Sequence, residues 1–156
     1  MRSIFLRGLM LLAAVCMCSL ASRSAVAQSM GMDAMLKQTG YAYTTHNATT
    51  WSVDLNRKNI GKIRVILSTG SDIVVTFVIV AKQAAIQKTP QMLNALLTAN
   101  NDYDYAKIGL DKDGDLFVRI DTLLRTIDAP ALKDVITQVA NASDELYPKI
   151  SAWIKK

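Results

Sequence analysis

Alternation of apolar and polar residues runs through the middle of the chain and predicts β-strands. After Tyr41 and Tyr43, the residues Trp51, Val53 and Leu55 alternate with polar neighbours, which indicates one or two half-buried strands. The segment 62–67 alternates in the same way. Following the turn at 69–72, the segment 73–81 is β-branched and apolar at almost every position. Such a segment is typical of a central strand, so we expect it to be covered on both faces.

A second pair of alternating segments, 106–110 and 116–120, predicts a hairpin whose loop length follows from parity. A two-residue turn at Asp113-Gly114 would pair Leu110 with Phe117 and place the apolar residues of the two arms on opposite faces. A three-residue loop, Lys112-Asp113-Gly114 with a left-handed Gly114, pairs Leu110 with Leu116 and keeps the faces matched. The three-residue loop is therefore the prediction.

Three segments carry apolar residues at three- and four-residue steps and predict helices. The first covers 28–40, and the second begins at Thr89-Pro90 with an N-cap and a proline at its first position. The third is long and begins at Asp128. We expect Pro148 to kink it, because proline lacks an amide N–H and crowds the carbonyl of Asp144.

Together the elements predict one α+β domain. Its order is α-β-β-β-α-β-β-α, with an antiparallel sheet of about five strands and helices packed on it. Residues 28–156 show no repeat and no linker, so we place this domain there.

The N-terminal residues follow a different pattern, typical of a secretory signal. Arg2 and Arg7 precede the largely apolar stretch 9–21, and Ala25-Val26-Ala27 supplies the small side chains of a cleavage site. The stretch would span about 20 Å as a helix, less than the roughly 30 Å core of a membrane. We therefore predict that residues 1–27 are a signal peptide cleaved between Ala27 and Gln28. The mature chain would be periplasmic or secreted, without a transmembrane span.

Cleavage would change the charge and the chemistry of the chain. The full sequence has 18 basic and 13 acidic residues, a net charge of +5. Three of the basic residues, Arg2, Arg7 and Arg23, would leave with the signal peptide and reduce the net charge to +2. Both cysteines, Cys16 and Cys18, would leave too, so the mature chain has no disulfide and no thiolate. The small charge and the export signal argue against nucleic acid as a partner.

Asp111, Asp113 and Asp115 suggest a calcium loop, but their spacing does not fit one. Counted from Asp111, glycine stands at the fourth position instead of the sixth, and the twelfth is Thr122 instead of a bidentate Glu. Acidic residues are also common in hairpin turns. We interpret the three carboxylates as a solvated hairpin tip.

Met30, Met32 and Met35 form a cluster whose thioethers suit Cu(I), a conceivable ligand for an exported protein. The spacing of Met32 and Met35 is also that of residues packing from one helix face into a core, and we favour packing. His46 is the only histidine, and no G-x-S-x-G motif accompanies it. The sequence therefore predicts no cofactor, no metal site and no enzymatic activity.

Three stretches of the chain resemble the YbjN family, whose fold is similar to that of type III secretion chaperones. They are 35–41 leading into Trp51-Ser52-Val53, 93–100, and 105–111 leading into Gly114-Asp115-Leu116. The likeness spans most of residues 30–150. It implies an antiparallel sheet packed by helices, dimerisation, and a binding role. Members that resemble regulators or secretion chaperones act in the cytoplasm, whereas this chain carries a predicted export signal.

We accordingly expect an exported, non-enzymatic homodimer that binds a segment of another envelope protein. Binding would use an exposed strand edge or an apolar groove beside the sheet. The apolar side chains considered for this contact, each of which also suits the core, are Trp51, Val53, Leu146, Ile150 and Trp153. The alternative is a small periplasmic binder of an apolar ligand or a membrane surface, to which the end of the last helix, 153–156, is suited.

Overall fold

The computed structural model describes residues 31–155. The predicted signal peptide, its cleavage point and Met30 lie outside these residues. Within them, the helices are α1 Met32–Thr39, α2 Pro90–Asn101 and α3 Ala129–Ile150. The strands are β1 Thr44–Asn47, β2 Thr50–Asn56, β3 Lys62–Thr69, β4 Ile73–Ala81, β5 Lys107–Leu110 and β6 Leu116–Leu123. The predicted α+β class is confirmed.

The sheet has six antiparallel strands in the order β1-β2-β3-β4-β6-β5. One more strand is present than the predicted order contained, because the region before Leu55 forms two strands, β1 and β2. Tyr41 and Tyr43 precede β1 and pack against the core from outside the sheet.

The β5–β6 hairpin follows the parity of its apolar residues. Leu110 lies opposite Leu116 and Ile108 opposite Val118. Gly114 has a φ of 80°, in the left-handed region, and the Asp111 N–H donates to the Asp115 carbonyl at 3.0 Å to close the loop. The predicted three-residue loop is confirmed.

Side-chain caps begin the two longer helices, as the sequence predicted. Thr89 accepts a hydrogen bond from the Met92 amide at 3.1 Å, and Asp128 accepts one from the Ala131 amide at 2.9 Å. Each cap satisfies a backbone donor that the first turn of the helix cannot. α3 is continuous through Pro148 and ends two residues later, while the kink there stays a prediction.

The core lies between one face of the sheet and the helices. α3 packs on β3, β4 and β6, and both α1 and α2 contact α3, so the three helices occupy the same side. The side chains that meet there are apolar and almost entirely buried; the largest are Leu36, Leu67, Met92, Leu116, Leu132, Ile136, Leu146 and Ile150. Burial of this set is the main source of stability for a domain without disulfides.

The prediction that 73–81 is covered on both faces is wrong. Val74, Thr76 and Val78 are buried beneath the helices, but the alternate residues Val75 and Phe77 are only half-buried. β4 is a central strand with two apolar faces, and no described helix packs on its second face. An apolar run has the same pattern whether its second face meets another element or solvent, so the sequence alone did not separate the two cases.

Candidate protein-binding surface

The sheet face turned away from the helices, here called the open face, carries a row of apolar side chains across three adjacent strands. Register partners share a face of the sheet. Ile66 lies opposite Phe77, and Ile79 lies opposite Phe117. The open-face patch consists of Ile66, Ile73, Val75, Phe77, Ile79, Phe117 and Leu123.

The patch is accessible from solvent. Ile73 is 37% exposed and Leu123 42% exposed at one end, and its other members are half-buried. Isolated apolar residues on a protein surface are ordinary, but a contiguous patch across the central strands of a sheet is typical of an interaction site. The open face is therefore the first candidate for a binding surface.

Charged residues border the patch on the side of β6 and β5. The Arg119 guanidinium lies over the Phe117 ring, 5.4 Å from its centroid. Arg119 and Lys107 both donate to Asp121 Oδ2, at 3.1 and 2.8 Å. Asp121 Oδ1 and Arg119 Nε are shielded from solvent and have no hydrogen-bond partner within the described residues. Since buried polar groups are normally paired, these two atoms are unsatisfied hydrogen-bonding groups beside the open face.

Polar residues border the opposite side of the patch. Arg64 donates two hydrogen bonds to Asp54, at 2.7 and 3.1 Å, and Lys62 adds an ion pair at 3.2 Å. The hydrogen bond from Arg64 is the main reason that the pKa of Asp54 lies below its usual range. Further along, His46 Nε2 is 2.8 Å from Ser52 Oγ, so the single histidine has a local polar partner at the edge of the sheet.

The two edges of the sheet differ in their availability to another strand. On β5, the Asn100 side chain accepts from the Ile108 amide at 2.7 Å and donates to the Ile108 carbonyl at 2.8 Å. The side chain thereby imitates a neighbouring strand at this position. β1, at the other edge, has only exposed residues, and its register with β2 shifts between Thr45 and Asn47. Of the two edges, β1 is the more open one.

The YbjN family model, described as "Putative bacterial sensory transduction regulator", matches residues 31–152. The chain belongs to the YbjN family. No curated protein matches it. The predicted family resemblance is confirmed, and the match covers nearly all of the residues that the structure describes.

Two solved structures share the fold of this YbjN-family chain. One is the heterodimeric ExoU-SpcU complex from the type III secretion system of Pseudomonas aeruginosa, with a TM-score of 0.53 and 13% identity over 79% of this chain and 97% of that chain. The other is the HopA1-SchA chaperone-effector complex, with a TM-score of 0.52 and 13% identity over 80% of this chain and 94% of that chain. At this identity the likeness shows the fold alone.

The apolar residues considered from the sequence for partner contact do not lie on the open face of the YbjN-family chain. Trp51, Val53, Leu146 and Ile150 are at most 3% exposed and belong to the core. The Trp51 indole N–H also donates to Asp33 Oδ1 at 3.1 Å. Trp153 is half-buried against the core. The accessible apolar residues are instead those of the open-face patch. The sequence features that could have indicated this patch are the apolar run 73–81, which is apolar on both faces, and Phe117.

The last residues of the described chain fold back onto the segment after β4. Ile154 forms a β-bridge with Ile86, the Gln87 amide donates to the Trp153 carbonyl at 2.8 Å, and the Lys155 amide donates to the Ala85 carbonyl at 2.8 Å. The apolar side chains of this end thus pack on their own domain, which leaves little to enter a membrane surface. None of the helices in 31–155 has the length and apolarity needed to cross a membrane.

The residues weighed as metal ligands have structural roles. Met32 and Met35 are 7% and 2% exposed in the core. Asp111 Oδ1 accepts from the amides of Asp113 and Asp115. The Asp115 carboxylate binds Lys82 at 2.7 Å and the Gln83 amide at 2.8 Å.

The hydrogen bond from Lys82 is the main reason that the pKa of Asp115 is lowered, and the hydrogen bond from the Gln83 amide lowers it further. Within the described residues, no three histidine, cysteine or acidic side chains come together as a metal site.

Proposed function

We propose that this YbjN-family chain is a non-enzymatic, chaperone-like protein that holds a segment of another polypeptide against the open face of its sheet. The main support for this proposal is the open-face patch, an apolar surface across three strands that no described element covers. A polypeptide lying there would bury the patch and meet the charged residues Arg119 and Asp121 at its border. The two structures of similar fold are a heterodimeric complex and a chaperone-effector complex, which supports a protein as the ligand.

The binding experiment uses a permanently unfolded polypeptide as the probe, namely reduced and carboxymethylated α-lactalbumin. Phe77→Thr removes the central aromatic ring of the patch and keeps a residue suited to a strand. We expect its affinity for the probe to fall about tenfold, the effect of roughly 1.4 kcal/mol. Tyr105→Thr is the matched control, because Tyr105 is 72% exposed on a loop and does not belong to the patch.

Two outcomes would contradict the proposal. One is a wild-type protein that does not bind the probe. The other is equal affinity in the Phe77→Thr variant, the control and the wild type, which would place binding elsewhere.

Export is the second part of the proposal and rests on the sequence of residues 1–27. The partner would then be an envelope protein. Mass spectrometry of the protein recovered from a periplasmic extract tests this directly. We expect a chain that begins at Gln28; a full-length chain in the cytoplasmic fraction would overturn it.

We also propose that the chain forms a homodimer through the outer side of α2. Leu93 and Leu97 are 42% and 72% exposed and lie four residues apart, so they share one face of the helix. Light scattering should give twice the chain mass for the wild type and for Gln91→Lys, an exposed position on another side of α2, and the monomer mass for Leu97→Lys. A wild-type protein that stays monomeric at high concentration would contradict the dimer.

A further inference from the structure

β3 and β4 separate before either strand ends. Their ladder runs from Thr69 opposite Val74 to Ile66 opposite Phe77. β3 continues beyond that pair to Lys62 and β4 continues to Ala81. In these extensions each strand keeps its outer neighbour, β2 or β6, but the two sides that face each other have no register partner within the described residues.

A cleft of 540 Å³ opens where the strands separate. Its apolar lining comes from both strands, from α3 and from the end of the described chain: Ile63, Ile66, Ile79, Val80, Tyr147 and Ile154. The register of β4 against β6 shifts between Ile79 and Ala81, at the position of Val80. Because Ile66 and Ile79 also belong to the open-face patch, the cleft continues the proposed binding surface and is not a separate site.

Basic side chains line the cleft, and acidic ones do not. Lys62, Arg64 and Lys82 are its charged residues, with side chains 69%, 57% and 73% exposed. Two carboxylates, Asp54 and Asp115, pair with these three cations from outside the cleft. The three cations outnumber these two carboxylates, whose side chains are 35% and 12% exposed, so the cleft presents a net positive charge to a ligand.

We propose that the cleft binds an extended segment of the partner protein in which acidic residues alternate with apolar ones. This inference rests on the proposed function and names the chemistry of the segment. The apolar side chains of such a segment would contact Ile79 and Val80, and its carboxylates would pair with Lys62 and Arg64. Its backbone N–H and C=O groups would form hydrogen bonds with the sides of β3 and β4 that lack a register partner, as in other cases of strand addition.

The backbone of the separating strands favours a peptide over an anionic lipid. An acyl chain with a carboxylate or phosphate head would satisfy the apolar lining and the cations. It would offer no amide donor to the carbonyl groups on the facing sides of 62–65 and 78–81, whereas a peptide backbone supplies both donors and acceptors. The lipid is therefore an outcome of the experiment and not the proposal.

The experiment measures binding of the purified protein to three sets of synthetic 12-residue peptides with identical valine and isoleucine positions. The intervening residues are glutamate in one set, lysine in the second and serine in the third. We expect the glutamate set to bind at least tenfold more tightly than the lysine set, with an affinity that falls as salt rises.

Lys62→Gln combined with Arg64→Gln should remove most of that preference. Arg125→Gln combined with Lys133→Gln, exposed cations that do not line the cleft, is the matched control. Val80→Asn should weaken all three sets, because it places a neutral polar amide in the apolar lining. Tyr105→Asn, on an exposed loop outside both the patch and the cleft, should keep the glutamate preference.

The outcomes separate the inference from the function on which it rests. Binding of all sets with equal affinity, or loss of the glutamate preference in the control variant, overturns the inference and leaves the proposed function standing. Absence of binding to every peptide and to the unfolded probe overturns both. Palmitate that displaces the glutamate peptides, with higher affinity and the same dependence on Val80, assigns the cleft to an anionic lipid and also overturns the inference.

Discussion

The side-chain amide of Asn59 donates to the backbone carbonyl of Asp144 at 3.2 Å, joining the β2–β3 turn to α3. This is the carbonyl that the helix itself leaves unpaired, because four residues later stands Pro148, which has no amide N–H. In return, the Asp144 carboxylate accepts from the amides of Asn59 and Ile60 at 2.7 and 3.0 Å. Turn and helix satisfy each other's polar groups, which allows α3 to continue through the proline.

A double-mutant cycle tests this relationship. Asn59→Ala removes the donor and should lower the free energy of unfolding by about 1 kcal/mol. In a Pro148→Ala background the new amide N–H serves the Asp144 carbonyl, so Asn59→Ala should cost less there, by about 0.5 kcal/mol. Urea denaturation followed by circular dichroism measures all four proteins. Strictly additive losses would show that Asn59 acts only on the Asp144 carboxylate, 3.2 Å from its Nδ2.

The Asp144 carboxyl should also give the stability a dependence on acid pH. Burial alone would raise its pKa, but the hydrogen bonds from the Ile60 and Asn59 amides outweigh burial and lower it. A lowered folded-state pKa means that its contribution is complete above the unfolded pKa and is lost as pH falls through the folded pKa. Asp144→Asn should therefore be less stable than the wild type at pH 7, and the difference should shrink as pH falls below about 4.

Denaturation of both proteins from pH 7 to pH 2 provides the measurement. Asp54 and Asp115, whose pKa values are also lowered by their partners, stay in both proteins and contribute equally. The comparison therefore isolates Asp144. A difference in stability that is constant across this range would refute the assignment.

The features that the sequence predicted are those that depend on near neighbours. The β5–β6 loop follows from the parity of Leu110 and Leu116, and the helix starts follow from single capping residues, Thr89 and Asp128. Whether a second element covers Phe77 depends on contacts distant in sequence, and alternation carries no information on them. The separation of β3 from β4 beyond the pair Ile66–Phe77 also depends on contacts distant in sequence. The sequence pattern therefore found the fold and the caps but not the open face.

Trp51 shows the same limit at a single residue. A large apolar side chain beside a predicted strand suits both a core and a partner contact, and the pattern does not separate them. The deciding observation is its burial, with the indole N–H bound to Asp33.

Two buried threonines should respond to the same substitution with opposite signs. Thr76 is 0% exposed in the core, and its hydroxyl has no partner within the described residues. Thr39 is 2% exposed, but its hydroxyl donates to the Leu36 carbonyl at 2.7 Å and accepts from the Tyr41 amide at 3.2 Å. Thr76→Val should raise the free energy of unfolding by about 1 kcal/mol, and Thr39→Val should lower it by a similar amount.

Thermal and urea denaturation of the two variants measure this pair, and each serves as the control for the other. Burial and the change in side-chain shape are nearly the same at the two positions. A loss of stability in both would mean that the Thr76 hydroxyl has a partner after all, such as a buried water.

Asn100→Ala should destabilise the chain and expose the β5 edge. The substitution removes both hydrogen bonds to Ile108, and the resulting loss is expected to be about 1–2 kcal/mol. It also frees the Ile108 N–H and C=O to pair with another strand, so particles larger than a dimer should form as concentration rises. Asn101→Ala, an exposed neighbour in the same helix, is the control and should change neither property. Light scattering follows association and urea denaturation follows stability. If the Asn100→Ala protein lost stability without associating, the Asn100 side chain would act as a clamp between α2 and β5 and not as a guard of the sheet edge.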